Sequence, residues 1–98
     1  MARSTHHRHY QVLLRLLREL REQAGVTQAA MGERLGNTQT FVSKLERGER
    51  RVDLVEFVEI CEILNVDPVG SFALFVERRG AEKGTPVRKK ASKSTGSG

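Results

Sequence analysis

The chain has 98 residues, a net charge of +5, one cysteine and no tryptophan. A chain of this size buries only about 60–65 % of its unfolded surface, which leaves little room for an enclosed catalytic cavity, so we expect one small domain. No apolar run approaches the ~20 residues of a membrane span, no signal-peptide core is present, and Cys61 has no internal disulfide partner. These features predict a cytoplasmic protein without a membrane anchor.

Positive charge is concentrated at the C-terminal end of the chain. Residues 1–76 carry equal numbers of basic and acidic side chains, whereas residues 77–98 carry seven Lys or Arg and two acids. The C-terminal composition, rich in Gly, Ser and Lys, cannot bury enough apolar surface to offset the entropy of ordering. We therefore predict a flexible basic arm at residues 1–9, a folded domain at residues 10–76 and a disordered basic tail at residues 77–98.

Two helices are predicted in the first third of the chain. In YQVLLRLLRELREQA, apolar side chains recur at steps of three and four residues, which indicates one buried helical stripe. The members of the stripe are Tyr10, Leu13, Leu16, Leu17, Leu20 and Ala24. Gly25 suits the left-handed position that ends a helix. Thr27 can cap a second helix, QAAMGERL, which Gly36 terminates.

Three more helices are predicted before the tail. The third covers residues 38–46 and can be capped by Asn37 or Thr38. The fourth, LVEFVEICEIL, follows Asp53 as its N-cap, and its predicted buried face comprises Leu54, Phe57, Val58, Cys61 and Leu64. Its opposite face carries Glu56, Glu59 and Glu62. The fifth helix opens with an Asp-Pro pair and runs over residues 67–76. The predicted fold is all-α.

The third helix combines a short apolar anchor with a polar outer face. Val42 and Leu45 point toward the core, with Phe41 at its edge, and the outward arc comprises Gln39, Thr40, Ser43, Lys44 and Arg47. A glutamine amide donates and accepts at once, which matches the pattern of base pairs in the major groove. Arg47, Arg50 and Arg51 follow the helix, where a flanking phosphate strand would run. This arrangement predicts a helix that reads duplex DNA.

The stretch TQAAMGERLGNTQTFVSKLERGER resembles the helix-turn-helix of the phage-repressor/Cro and xenobiotic-response-element-like (XRE) regulators. The matching residues lie on both helices and in the turn: Thr27, Gln28, Gly36, Gln39, Val42, Ser43, Leu45, Glu46 and Gly48. The following segment, DLVEFVEICEILNVDP, is similar to the family's fourth helix and its ending, so the resemblance covers residues 10–76. It implies a compact, five-helix, lambda-repressor-like domain in a regulator that binds double-stranded DNA.

The resemblance also implies roles for individual side chains. Gln28 matches a glutamine that contacts a phosphate and supports the residue at position 39. Base contacts are expected from Gln39, Thr40, Ser43 and Lys44. Phosphate contacts are expected from Thr27, Gln28, Asn37, Arg47, Arg50 and Arg51. Two positions depart from the family pattern: Gly32, which allows close packing but costs up to ~1 kcal/mol of helix propensity, and Asn65, where glycine is usual.

Several side chains have structural as well as functional interpretations. Phe41 can pack at the edge of the core or contact a thymine methyl group. Glu46, beside Arg47 and Arg50, is expected to orient an arginine, and Cys61 is expected to be a buried, inert thiol. No metal or cofactor site is predicted, because no partner ligands lie near the three histidines of the arm, His6, His7 and His9.

The segment PVGSFALFV carries more apolar side chains than one small core needs: Phe72, Leu74, Phe75 and Val76. We expect a homodimer that binds an inverted-repeat operator through this surface, with closure of the monomer core as the alternative. The basic tail is expected to add salt-sensitive nonspecific affinity for DNA.

The sequence argues against an enzyme, because the predicted domain contains no Ser/His/Asp or Cys/His set. No small-molecule ligand is predicted. An adaptor or antitoxin-type module whose main partner is another protein is the alternative function. Repression by blocking polymerase is the simplest output, and phage repressor, antitoxin and restriction–modification controller are all open as settings.

Overall fold

The computed structural model describes residues 7–81, and all regular structure within them is helical. The helices are α1 (Arg8–Gln23), α2 (Gln28–Arg34), α3 (Gln39–Glu46), α4 (Leu54–Ile63) and α5 (Pro68–Gly80). The all-α, five-helix prediction is therefore confirmed. Over this part of the chain, no helix has the length and apolar character that crossing a bilayer requires. Residues 1–6 of the predicted arm, including His6, and residues 82–98 of the predicted tail lie outside the described residues.

Local capping explains where the helices begin and end. The side chains that accept a backbone N–H at the start of α2, α3, α4 and α5 are Thr27, Thr38, Asp53 and Asp67. Each removes one of the donors that a helix start leaves without an internal partner. Gly36 follows α2 at φ 71° and Asn65 follows α4 at φ 62°. These left-handed positions suit glycine and asparagine, as the sequence predicted.

One buried apolar cluster joins α1, α2, α3 and α4. Its members are Leu17, Val26, Met31, Val42, Leu45, Phe57, Ile60, Cys61 and Leu64. The stripe predicted on α1 was too narrow, because Val12 and Leu14 are buried as well, and it ended too late, because Ala24 is the exposed C-cap residue. The physical reason is that α1 packs against both α3 and α5, so it must be apolar around more of its circumference.

The prediction for the buried face of α4 was wrong at its first residue. Leu54 is 69 % exposed, whereas Ile60, which the prediction omitted, is completely buried. Ile60 continues the helical spacing that starts at Phe57, with contacts toward the core. Leu54 instead borders an open groove that is also lined by Leu13 and Phe72. Whether a residue in the first turn of α4 is buried therefore depends on the neighbouring helices, and the periodicity of the α4 sequence does not reveal them.

Helix α5 extends beyond the predicted end of the folded domain. It continues past Val76 to Gly80, so residues 77–80 belong to the helix rather than to a tail. Arg78 donates a hydrogen bond of 2.8 Å to Glu19 of α1. This contact crosses 59 positions of sequence and helps to hold the last turn.

Helix α1 likewise begins two residues before its predicted start, at Arg8. The imidazole Nδ1 of His7 accepts a hydrogen bond of 3.0 Å from the backbone N–H of His9 and so caps the helix. The Nδ1 of His9 lies 3.3 Å from the Arg79 guanidinium of α5. Both described histidines of the arm therefore have structural contacts.

Candidate nucleic-acid interface

Helices α2 and α3 meet with backbone against backbone. Gly32 is buried, and a Cβ atom at this position would lie only 2.5 Å from the carbonyl oxygen of Thr38. The N–H of Asn37 donates to the Gly32 carbonyl at 2.7 Å, across the turn that contains Gly36. Because no side chain separates the two segments, the start of α3 is held in a fixed position relative to α2. Glycine has a low helix propensity and so destabilises α2, but only glycine allows the backbones of α2 and α3 to come this close.

Helix α3 presents opposite faces to the core and to solvent. Val42 and Leu45 are completely or almost completely buried, and they anchor the helix. The predicted base-contacting residues lie on the outside: Gln39, Thr40 and Lys44 are exposed, and Ser43 is half-buried. The outward projection that major-groove reading needs is therefore present.

A buried ion pair ties the end of α3 to α1. Arg21 donates to both carboxylate oxygens of Glu46, from Nε at 2.6 Å and from Nη2 at 3.1 Å. The same guanidinium donates from Nη1 to the carbonyl of Val26 at 2.9 Å. The two side chains are only 10 % and 4 % exposed. Each charge therefore depends on the other, because a buried charge without a partner is costly.

The ion pair continues outward as a chain of glutamine contacts. Gln28 Nε2 donates to Glu46 at 2.9 Å, and Gln39 Nε2 makes a long hydrogen bond of 3.4 Å to Gln28 Oε1. An ionised carboxylate can only accept, so it fixes which end of the Gln28 amide faces inward. Gln28 then presents its oxygen to Gln39. The Gln39 carbonyl oxygen and one of its N–H groups are left for other partners.

Sequence reasoning did not find Arg21, but its expectation that Glu46 orients an arginine is confirmed. The arginine that Glu46 orients belongs to α1, whereas Arg47 and Arg50 have other partners. A signal was available, since Arg21 lies four residues after Leu17 on the buried side of α1. An arginine at a core position implies a buried acid, but it does not say which one.

Arg47, the C-cap residue of α3, is held by its own chain. Its guanidinium forms two hydrogen bonds with the Glu49 carboxylate, from Nε at 3.0 Å and from Nη2 at 3.1 Å. Its Nη1 donates to the hydroxyl oxygen of Ser43. The Arg47 guanidinium, as donor and as positive charge, holds the pKa of the Glu49 carboxyl below its ordinary value. Both partners remain about half exposed, so the pair faces solvent.

Arg50 is more enclosed and links the loop after α3 to the start of α4. It donates to both oxygens of Glu56, at 3.0 and 2.8 Å, and its guanidinium carbon lies 4.5 Å from the centre of the Phe41 ring. Glu56 also accepts from the backbone N–H of Asp53 within a capping box. Hydrogen bonding from Arg50 lowers the pKa of the Glu56 carboxyl. Glu56 is therefore a structural residue, not a member of an exposed acidic row as predicted.

The remaining predicted phosphate contacts lie at the ends of the same elements. Arg51 stacks over the Tyr10 ring at 4.7 Å, and the Tyr10 hydroxyl accepts from the N–H of Val52 at 3.0 Å. Thr27 and Asn37 are exposed, and their side-chain oxygens accept backbone N–H groups at the starts of α2 and α3. Phe41 packs at the edge of the core cluster, as one of its two interpretations predicted.

The apolar residues predicted for a dimer lie on α5, apart from the α3 face. Phe72 and Val76 are 48 % and 43 % exposed, while Leu74 and Phe75 are half-buried. Other apolar side chains, which sequence reasoning missed here, are more exposed: Leu54, Val55 and Val69. Val69, Phe72 and Val76 follow one side of α5, and Leu54 and Phe72 line one groove. We call these four residues the apolar patch.

Cys61 is buried in the core cluster, as predicted. Burial raises the pKa of its thiol, which keeps it protonated and unreactive. Across residues 7–81, no three His, Cys, Asp or Glu side chains are grouped so that they could hold a metal ion.

Two helices joined by a tight turn, with a polar outer face on the second helix and arginines after it, are typical of a helix-turn-helix DNA-binding domain. The family profile described as a helix-turn-helix domain matches residues 12–70. The chain is also 40 % identical to a solved structure described as an XRE-family like protein from Pseudomonas syringae pv. tomato str. DC3000. That match has a TM-score of 0.70 and covers 79 % of this chain and 94 % of that one. No curated protein matches the chain. The chain therefore belongs to the XRE-like helix-turn-helix regulators.

Proposed function

We propose that this DNA-binding regulator recognises a specific operator by inserting α3 into the major groove. The observation that carries the proposal is the outward face of α3, whose exposed amide, hydroxyl and ammonium groups stand on a buried apolar anchor. Gln39 is the principal base-reading residue. It has a free carbonyl oxygen and one N–H beyond its contact with Gln28, which is the pair of groups that an adenine edge needs. Thr40, Ser43 and Lys44 complete the reading face.

Phosphate contacts in this proposal come from the segments that flank α2 and α3. Thr27, Gln28 and Asn37 are the polar side chains at the helix starts, and Arg47, Arg50 and Arg51 follow α3. Such contacts orient a protein on the duplex without reading its sequence.

The second part of the proposal is a homodimer on an inverted repeat, with half-sites about one helical turn (~34 Å) apart. The apolar patch supports this, because Val69, Phe72 and Val76 form one exposed stripe along α5. Val69 and Val76 are equidistant from the midpoint between Phe72 and Ala73. Two antiparallel copies of α5 would therefore place Val69 of one protomer against Val76 of its partner, which is the self-complementarity that two-fold symmetry requires. Leu74 and Phe75 are half-buried, and the Phe75 ring lies 6.1 Å from that of Phe72.

The proposed output is repression, because a domain that occupies a promoter excludes polymerase from it. The site of action would then be the cytoplasm. An antitoxin-type module is the alternative, and the exposed apolar patch is the feature that would favour a protein partner.

Selection of bound sequences from random duplexes tests the proposal. We expect an enriched palindromic site whose half-sites are spaced by one helical turn, and binding that weakens steeply with salt. Enrichment of a single half-site would retain the reading role of α3 and contradict the dimer. The absence of any salt-sensitive duplex binding would contradict the proposal as a whole and favour the adaptor.

A further inference from the structure

Two arginines in the segment after α3 are each held by a carboxylate of the same chain. Arg47 forms two hydrogen bonds with Glu49, and Arg50 forms two with Glu56. Parallel N–H donors meeting two oxygens form the arrangement with which arginine also binds phosphate. Each carboxylate therefore occupies the position that a DNA phosphate oxygen pair would take.

The two pairs differ in how readily a phosphate can replace the carboxylate. The Arg47 and Glu49 side chains are 54 % and 52 % exposed. The Arg50 and Glu56 side chains are 41 % and 22 % exposed, Arg50 stacks on Phe41, and Glu56 belongs to the capping box of α4. Exposed pairs are worth little and exchange easily. The Arg47–Glu49 pair is thus the exchangeable one. The Arg50–Glu56 pair is part of the fold, so Arg50 would contact a phosphate while it stays paired with Glu56.

The exchangeable pair is also the one beside the reading face. Arg47 caps the C-terminus of α3, and its third contact is to the hydroxyl of Ser43, within that face. The Glu49 carboxylate therefore places a negative charge directly beside the surface that would approach DNA.

We propose that Glu49 is an intramolecular competitor for the DNA phosphate at Arg47 and so sets the affinity and the salt dependence of duplex binding. This inference rests on the proposed DNA-binding function. On binding, the Arg47 guanidinium exchanges a carboxylate for a phosphate, and the released Glu49 retains its charge near the backbone. The loss of the Arg47–Glu49 pair and the repulsion from the Glu49 charge therefore cancel part of the binding free energy that the phosphate contact provides. Affinity for every duplex is reduced, with or without a cognate sequence.

The test measures duplex affinity of the full chain for Glu49→Gln and for Glu62→Gln, between about 50 and 200 mM salt. Glu62 is an exposed residue of α4, so its variant makes the same change in net charge. Two duplexes are used, the selected site and a scrambled sequence. We expect Glu49→Gln to bind both about two- to fivefold more tightly than the control, with a salt slope steeper by up to about one unit.

Arg47→Ala supplies the second arm of the experiment. In this background Glu49→Gln should tighten binding less than it does in the wild-type background, because the competition needs the arginine and only the direct repulsion between Glu49 and the DNA backbone remains. Equal effects of the two glutamine variants in the wild-type background, or a Glu49→Gln gain that Arg47→Ala does not reduce, would overturn the inference. If the wild-type chain binds neither duplex, the proposed function itself fails, and the inference falls with it.

Discussion

Arg21 and Glu46 connect the core of the domain to its outward-facing helix. Their ion pair joins residues 25 positions apart, and the carboxylate also receives the Gln28 amide that contacts Gln39. The orientation of the exposed Gln39 therefore depends on a charge that is buried at the end of α3. Such a pair is weak evidence for stability, because desolvation offsets much of its attraction, but it fixes geometry.

Replacing one partner of this ion pair should lower the free energy of unfolding far more than replacing both partners. Arg21→Met would leave the Glu46 carboxylate buried without its main partner, so we expect a loss of about 3–5 kcal/mol in the free energy of unfolding. The double variant Arg21→Met, Glu46→Leu should be much closer to the wild type. Urea unfolding of Arg21→Met, Glu46→Leu and the double variant measures this. If the double variant loses as much as the two single variants together, the pair is not coupled as described.

At the scale of the elements, the junction of α2 and α3 depends on Gly32. By propensity alone, Gly32→Ala should stabilise α2 by up to ~1 kcal/mol. The added Cβ would lie 2.5 Å from the Thr38 carbonyl oxygen, and only a backbone shift can relieve this. We expect net destabilisation of about 1–3 kcal/mol by thermal or urea unfolding.

Ala29→Gly, at an exposed position of α2, is the comparison for Gly32→Ala. It should cost up to ~1 kcal/mol through propensity. Opposite substitutions in the same helix should thus both destabilise the domain. A stabilised Gly32→Ala variant would show that α2 and α3 can move apart at no cost.

The start of α4 should carry a pH-dependent part of the stability. Arg50 lowers the pKa of Glu56 in the folded state, so the unfolded chain binds this proton more readily. The contribution is therefore present above the unfolded pKa of ~4.3 and is lost as the pH falls through the lower folded pKa.

Glu56→Gln isolates that charge, because the glutamine oxygen can still accept from the Asp53 N–H. We expect it to lose up to about 1 kcal/mol at neutral pH and to approach the wild type in acid. Unfolding free energies measured from pH 7 downward test this, with Glu59→Gln, an exposed change on the same helix, as control. A difference between wild type and Glu56→Gln that persists unchanged in acid would contradict the assignment.

At the scale of the whole molecule, the predictable features were those with local causes. Thr27, Thr38, Asp53 and Asp67 cap helices through neighbouring N–H groups, and a sequence pattern contains both partners. The outward polar face of α3 was predictable because its anchor and its polar arc belong to one short helix.

Features that depend on contacts between distant segments were missed. The Arg78–Glu19 contact extends α5 past Val76, and no local signal announces it. The exposure of Leu54 depends on an open groove beside α1 and α5. In each case a side chain's environment is supplied by another helix, so periodicity along its own helix gives an incomplete or wrong answer.

The proposed dimer makes a prediction that concerns two copies of the chain. Val69→Ser with Val76→Ser leaves the net charge unchanged, replaces four exposed valine side chains in the proposed dimer and so removes its two Val69–Val76 contacts. Each should be worth roughly 1 kcal/mol, so the dimer dissociation constant should rise at least about tenfold. Sedimentation measures it. Affinity for a single half-site should stay the same, which serves as the control. A wild-type chain that sediments as a monomer even with its operator would exclude this dimer.

The most direct measurement is the affinity of the wild type and of Gln39→Ala for the selected site and for every single base-pair variant of that site. If α3 reads base edges through Gln39, the alanine protein loses about 1–3 kcal/mol on the preferred sequence. It also ceases to discriminate at one base-pair position while keeping its preferences at the others. An equal loss on every duplex would mean that Gln39 contributes no sequence information, and the assignment of α3 as the reading helix through this residue would be wrong.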